Sequence, residues 1–189
     1  FRVLYGQHGI DISIGGHYKF RMSPDFTFRG WERFGDRHNW AFEECIEACV
    51  GKSVFIDVGA HVGLYSLPTS RVMAPEGKIF AFEASANNFN YLTQHIHYNG
   101  IKNIFPYHVA VGSTNQDSVI FYEDRTPSSA LSSLTKGPKF DESMYEKAVV
   151  RQVTLDQFCA DNLISPDVVK IDVEGAELLV LMGSYNILR

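Results

Sequence analysis

Residues 54–67 read VFIDVGAHVGLYSL: an apolar, β-branched-rich run, an acid near its end, and then two glycines separated by three residues. A run that is apolar on both faces suits a central strand of a parallel sheet. The glycine-bearing turn and the apolar residues beyond it predict a helix to about Val72, kinked at Pro68. Downstream the same alternation recurs. KIFAFEA (78–84) reads as a second strand, and Ser85 caps a helix carrying Phe89, Leu92 and Ile96 that stops at Asn99 and Gly100. NIFPYHVAV (103–111) reads as a third strand, with Pro106 awkward for a fully paired position. Residues 112–151 are polar, with one strand (SVIFYE) and a Ser-rich loop (TPSSALSSL). TLDQ (154–157) is a capping-box signature for a short helix ending near Asn162. DVVKIDVEG (167–175) is a fourth buried strand, and AELLVLMG begins another helix. Strands alternating with helices mean βαβ units with right-handed crossovers. The expected fold is therefore α/β: an open, mostly parallel, Rossmann-like sheet with helices on both faces.

Upstream, Phe42, Cys45, Ile46, Cys49 and Val50 form one stripe of an amphipathic helix that should end at Gly51. Residues 1–36 alternate short β-like pieces (RVLYG, HYKFRM) with Gly and Pro, and show no strong period. The expected organisation is an N-terminal extension and leading helix over residues 1–50, and the sheet domain over 51–189.

The bulk properties bound the function. A chain of 189 residues, 45% hydrophobic and 21% charged, fits one ordinary domain. A net charge of −5 and a pI near 5.8 leave no basic face for nucleic acid or an anionic membrane, so neither is an expected partner. Cys45, Cys49 and Cys159 include no CxxC pair, which favours buried thiols in a reducing, cytoplasmic setting over a disulfide framework or a metal site. Cys45 and Cys49, one turn apart, are expected on a shared core face. No apolar run approaches the roughly 18 residues that span a bilayer. The residues from Phe1 onward show no basic-then-apolar pattern, so a leader is not expected within them.

In open α/β sheets ligands bind beyond the carboxyl ends of the strands, where strand order reverses. The notable residues fall at such ends: Asp57 on the first strand, Glu83 on the second, Ala110 and Val111 on the third, Asp172 and Glu174 on the fourth. A glycine-bearing turn before a helix can present backbone N–H groups to a carboxylate or phosphate. A dinucleotide fingerprint, however, needs glycines at its first, third and sixth positions, which here are Gly59, His61 and Leu64. A side chain at the second glycine obstructs a pyrophosphate. S-adenosyl-L-methionine has a ribose and no pyrophosphate, and Glu83 at the end of the next strand can accept both hydroxyls of a ribose diol. A nicotinamide oxidoreductase is disfavoured by His61 and Leu64. Asp172 and Glu174, two acids on one turn, suit a general base, a substrate clamp, a metal ligand or a structural brace.

VFIDVGAHVGLYSL, FAFEASANNFNYLTQHIHYNG, HVAVG, SSL, VTLDQF and VVKIDVEGAELLVLMG occur in the order and spacing of the FkbM-like family of S-adenosylmethionine-dependent methyltransferases, which the chain resembles over roughly residues 52–183. The resemblance implies a class I methyltransferase fold and O-methylation of a sugar or other small-molecule hydroxyl, with a small molecule or glycan as acceptor. It implies that Asp57, Gly59, Ala60, His61 and Gly63 hold the methionine end of the cofactor. Glu83 would hold the ribose, with Ala84, Asn88 and Ala110 near the adenosine, and Asp172 and Glu174 would face the transferred methyl. No metal is expected. His61 stands where the family commonly has Asn, and RHNW (37–40) where it often has an aromatic-Glu-Pro signature. Family members continue with further strands after the helix near Ala176. The C-terminal strands are thus expected to be missing, and the edge of the fourth strand to be covered by a further segment or a partner chain. A second reading of the same residues is a cofactor-binding module without turnover.

Overall fold

The computed structural model describes residues 8–26, 30–36, 39, 41–124, 134–135 and 141–189. Four parallel strands form the central sheet: β3 (Val54–Val58), β4 (Lys78–Phe82), β5 (Ile104–Tyr107) and β9 (Val168–Ile171), in the order β5-β4-β3-β9. The chain moves from β3 outward through β4 to β5, and returns to the other side of β3 as β9. Strand order therefore reverses at β3, where a ligand crevice is expected.

Side-chain alternation divides the core into two layers. Phe55, Ile79 and Ala81 face one side, where helices α1 (Phe42–Ala48), α2 (Ser66–Thr69) and α3 (Ala86–Tyr98) contribute Phe42, Ile46, Leu67 and Leu92. Ile56, Val58, Phe80 and Phe82 face the other, against Leu155 and Phe158 of α4 (Leu155–Asn162) and Val180 of α5 (Glu177–Met182). Helices thus cover both faces, as the sequence predicts. The hairpin of β1 (Ile10–Ile14) and β2 (Tyr18–Met22) adds Ile14, Phe20 and Met22 to the first layer, all at most 2% exposed. A second, three-stranded sheet joins β6 (Ala110–Val111), β8 (Tyr145–Val153) and β7 (Gln116–Asp124) in the order β6-β8-β7.

Several local expectations are met. Ser85 Oγ accepts from the Asn88 amide at 3.2 Å, and Thr154 Oγ1 accepts from the Gln157 amide at 3.2 Å, so both N-caps form. The reciprocal half of the capping box does not, because Gln157 Nε2 donates to Asp161 instead. Gly51 ends the α1 segment with φ +67°. Cys49 is buried and Cys45 half-buried, whereas Val50 faces solvent at 58% exposure.

Others need correction. The expected third strand is two: β5 ends at Tyr107, and Ala110–Val111 leaves the central sheet to pair with Gln152 and Val153 of β8. Pro106 fits because β5 is an edge strand, paired with β4 alone in this sheet. The helix after Gly63 is one regular turn, Ser66–Thr69, continued by turns to Val72. Pro68 lies in its first turn, where a missing N–H costs no intrahelical bond. β8 has no counterpart in the sequence reading, because its Glu, Lys and Arg residues interrupt the apolar run. β9 is an edge strand of half-buried residues among those described. No described helix is long and apolar enough to cross a membrane. The Ser-rich residues 128–133 and residues 37, 38 and 40 lie outside the described residues.

His95 links three elements. It is fully buried on α3; its Nε2 accepts from the Ser23 amide at 3.0 Å, so Nδ1 carries the proton and donates to the Val62 carbonyl at 2.9 Å. Burial holds the imidazole neutral and lowers its pKa to about 4, against the opposing bond to Val62. A folded-state pKa below the unfolded value means that the unfolded chain takes up the proton first. The His95 contribution is then fully present above pH 6.5 and is lost as pH falls toward 4. Between about pH 7.5 and pH 5 this amounts to about 2 kcal/mol. Urea denaturation of the wild type and of His95→Gln should show the difference between their stabilities shrinking by about that amount on acidification.

Candidate active site

Beyond the carboxyl ends of β3, β4 and β9 lies a cavity of about 350 Å³, within the size range of small-molecule and cofactor sites. Gly59, Ala60 and His61 line it from the turn after β3; Glu83, Ala84 and Asn88 from the end of β4 and the start of α3; and Lys170, Asp172 and Glu174 from the end of β9. Ala110 lines it from β6 and Phe121 from β7, while Trp31, Phe34 and Asn39 close it from the N-terminal segment. Nine of the eleven residues expected around the ligand therefore share one cavity. Ala110 reaches it from β6 rather than the central sheet, and the remaining two candidates, Asp57 and Gly63, are not part of its lining.

Asp57 is fully buried and supports the site from below. Its Oδ2 accepts from Ser66 Oγ at 2.6 Å, and its Oδ1 lies 3.0 Å from Lys170 Nζ, an ion pair without the alignment of a hydrogen bond. Asp57 and Lys170 are register partners across β3 and β9, which places both side chains on one face of the sheet. The Lys170 ammonium donates to the Gly59 carbonyl at 2.8 Å and, at a longer 3.4 Å, to that of Val58. It also lies 4.9 Å from the centre of the Tyr65 ring. A lysine inside the apolar run VVKIDV was the signal that could have marked it.

Four amides of the turn depart from the expected cradle. Gly59 at φ +74° and His61 at φ +52° rotate their amides inward. The Gly59 and Ala60 N–H groups both donate to the Phe82 carbonyl, the His61 N–H donates to Glu83 Oε2 at 2.7 Å, and the Gly63 N–H to the Ala60 carbonyl. His61 occupies a left-handed conformation, in which Asn and His are enriched among non-glycine residues. Gly63, at φ +99°, packs against Leu67 and Leu92 rather than lining the cavity.

Glu83 is 7% exposed and forms part of the cavity wall. Its Oε1 accepts from the Ser85 amide at 2.8 Å while Oε2 accepts from His61, which fixes the plane of the carboxylate and leaves further lone pairs. Burial pushes its pKa up to about 7, against these two amides and the Lys170 charge, with Asp57 adding to the rise. At the opposite end, the Asp172 side chain is half exposed, with Oδ2 4.0 Å from Lys170 Nζ. Partial desolvation, followed by the Asp172 and Glu177 charges, holds the Glu174 carboxyl above the usual range. Among the described residues no group of three or more His, Cys, Asp or Glu side chains is placed to hold a metal ion.

A sheet whose order reverses at its first parallel strand, with a buried acid on the neighbouring strand end and a glycine turn beside it, defines an α/β domain with a cavity at its switch point. The family comparison makes this specific: the methyltransferase FkbM domain model matches residues 57–189, and the chain belongs to that family of S-adenosylmethionine-dependent methyltransferases. Among solved structures it is similar to the FkbM methyltransferase of Methylobacillus flagellatus, at 17% identity and a TM-score of 0.48 over 74% of this chain and 30% of that one. It is also similar to a precorrin-6y C5,15-methyltransferase of Geobacter metallireducens, at 16% identity and a TM-score of 0.47 over 90% of this chain and 62% of that one. A SAM-dependent methyltransferase of Aquifex aeolicus shares 22% identity, with a TM-score of 0.33, over 46% of this chain and 44% of that one. The chain thus spans less than two thirds of the length of each of these proteins. No curated protein matches it.

Proposed function

We propose that the protein binds S-adenosylmethionine in this cavity and transfers its methyl group to a hydroxyl of a small molecule or glycan. The observation that carries the reading is the Glu83 carboxylate: nearly buried, facing the cavity, and fixed by two backbone amides so that its remaining lone pairs can accept a ribose diol. The cofactor supplies an electrophilic methyl group. The chain's residues would do the rest: Glu83 grips the sugar, the Ala84, Asn88 and Ala110 wall adjoins the adenosine, and Asp172 and Glu174 flank the acceptor end. Positioning of the two reactants contributes most of the rate in such a site. The acceptor hydroxyl gives up its proton as the methyl arrives. Glu174, whose carboxyl is held above the usual range, is the residue assigned to accept it.

The test is a calorimetric titration with S-adenosylmethionine and its demethylated product, followed by radiolabelled methyl transfer to a panel of sugar and small-molecule hydroxyls. Saturable binding of both compounds and transfer that falls about 100-fold or more in Glu174→Gln are expected. Binding without transfer to any acceptor would favour a module without turnover. Absence of binding would remove the cofactor reading.

A further inference from the structure

We propose that Lys170 anchors the carboxylate at the amino-acid end of the cofactor. The inference rests on the cavity being an S-adenosylmethionine site, and adds a binding residue to it. An amino-acid tail brings a carboxylate into a cavity already walled by Glu83, Asp172 and Glu174. A carboxylate removed from water needs a charged or hydrogen-bonding partner. Two sources are available in principle: main-chain amides of the turn, or a cationic side chain.

Four amides of the turn are engaged elsewhere, which leaves those of Val62 and Leu64 beside the one cation of the wall. Those of Gly59 and Ala60 bond the Phe82 carbonyl, that of His61 bonds Glu83, and that of Gly63 bonds Ala60. The helix after the turn is a single turn long and supplies no anion site of its own. Among the described residues that line the cavity, Lys170 is the one lysine or arginine.

Its ammonium is suited to the task. The side chain is 12% exposed, and its position is set by the 2.8 Å bond to the Gly59 carbonyl and by Asp57 Oδ1 at 3.0 Å. An ammonium has three donors. One is well used on Gly59, a second is long at 3.4 Å to Val58, and the Asp57 contact is not aligned as a hydrogen bond. Donor capacity therefore remains at the cavity wall. Asp57 serves a second purpose: it compensates the buried cation when no ligand is present, which lets a charged lysine persist in the sheet. Asp57 itself is held away from the ligand side, its Oδ2 accepting from Ser66 and its Oδ1 ion-paired with Lys170.

The alternative is that Lys170 is a structural counter-ion to Asp57 and touches no ligand. Varying the ligand separates the two. Isothermal titration would compare S-adenosylmethionine with decarboxylated S-adenosylmethionine on the wild-type chain, Lys170→Gln and Lys170→Arg. The wild type should bind the decarboxylated compound roughly tenfold or more weakly, the loss expected for a charge-assisted contact. Lys170→Gln should bind the intact cofactor more weakly and bring the ratio to one or below, while Lys170→Arg should keep most of it. If Lys170→Gln fails to fold because Asp57 is left unpaired, the Asp57→Asn/Lys170→Gln double variant removes both charges, and the same ratio is read there. A wild-type ratio retained without the lysine overturns the proposal, as does a wild type that binds both compounds alike; in either case the cofactor reading stands. A wild type that binds neither compound ends both.

Discussion

Gly59→Ala, the tightest of the described glycine positions, is expected to cost about 3 to 5 kcal/mol and to abolish measurable cofactor binding. A Cβ at residue 59 would lie 1.9 Å from the Asp172 carbonyl oxygen and 2.9 Å from its carbon. Those are backbone atoms at the end of β9, so no rotamer change relieves the overlap. The φ of +74° adds the strain of a left-handed conformation. Relief requires the ends of β3 and β9 to separate, which would pull the Gly59 carbonyl from Lys170 and move Asp172 relative to the turn. Gly63→Ala provides the comparison. Its φ of +99° is also strained, but the nearest atoms are the side-chain ends of Leu67 and Leu92 at 3.1 Å, which can shift. Urea midpoints should fall for both variants and much further for Gly59→Ala. Comparable midpoints would show that the approach of β3 to β9 is not what residue 59 controls.

That close approach marks the boundary of what the sequence discloses. The unbroken apolar runs VFIDV and KIFAF announce parallel strands, and the caps at Ser85 and Thr154 announce helix starts, because these signals are local and read from one segment at a time. The place of Glu83 at the cavity wall was legible for the same reason: a strand-end acid follows a strand-end turn. What stayed hidden depends on pairs distant in sequence. Lys170 sits within a buried strand, and its meaning comes from its register with Asp57, 113 residues earlier. The inward rotation of the Gly59, Ala60 and His61 amides depends on the Phe82 carbonyl and Glu83 being within reach, a tertiary condition that the glycine spacing does not express. The split of residues 103–111 into two strands reflects the pairing of Ala110 and Val111 with β8, whose Glu146, Lys147 and Arg151 masked it as a strand. Trp31 and Phe34 reach the cavity because the hairpin seats the N-terminal segment on the core: the Gly15 amide holds the Trp31 carbonyl, and the Trp31 ring stacks on Phe26 at 4.7 Å.

Glu83→Gln should lower cofactor affinity by roughly tenfold to 100-fold and remove the pH dependence of binding that the wild type is expected to show. The carboxyl has a pKa near 7 because burial disfavours its charge more than the Ser85 and His61 amides favour it. In the ligand-free protein the folded-state value exceeds the unfolded one. The contribution to stability is then fully present below about pH 4.5 and is lost as pH rises through 7, by up to about 3 kcal/mol. A ribose diol donating two hydrogen bonds to the ionised form opposes that loss and draws the pKa down. Binding below pH 7 should therefore release on the order of one proton, and affinity should rise as pH climbs from about 6 to 8. Calorimetry in two buffers of different ionisation enthalpy measures the released proton directly. Glutamine keeps the size of the side chain but cannot ionise, so the release should vanish in Glu83→Gln; its retention would assign the proton to another group in the cavity. Glutamine also sets one amide N–H₂ against the backbone donors of Ser85 and His61. A fall in stability is expected alongside the fall in affinity, and measuring both separates the loss of the diol contact from distortion of the turn.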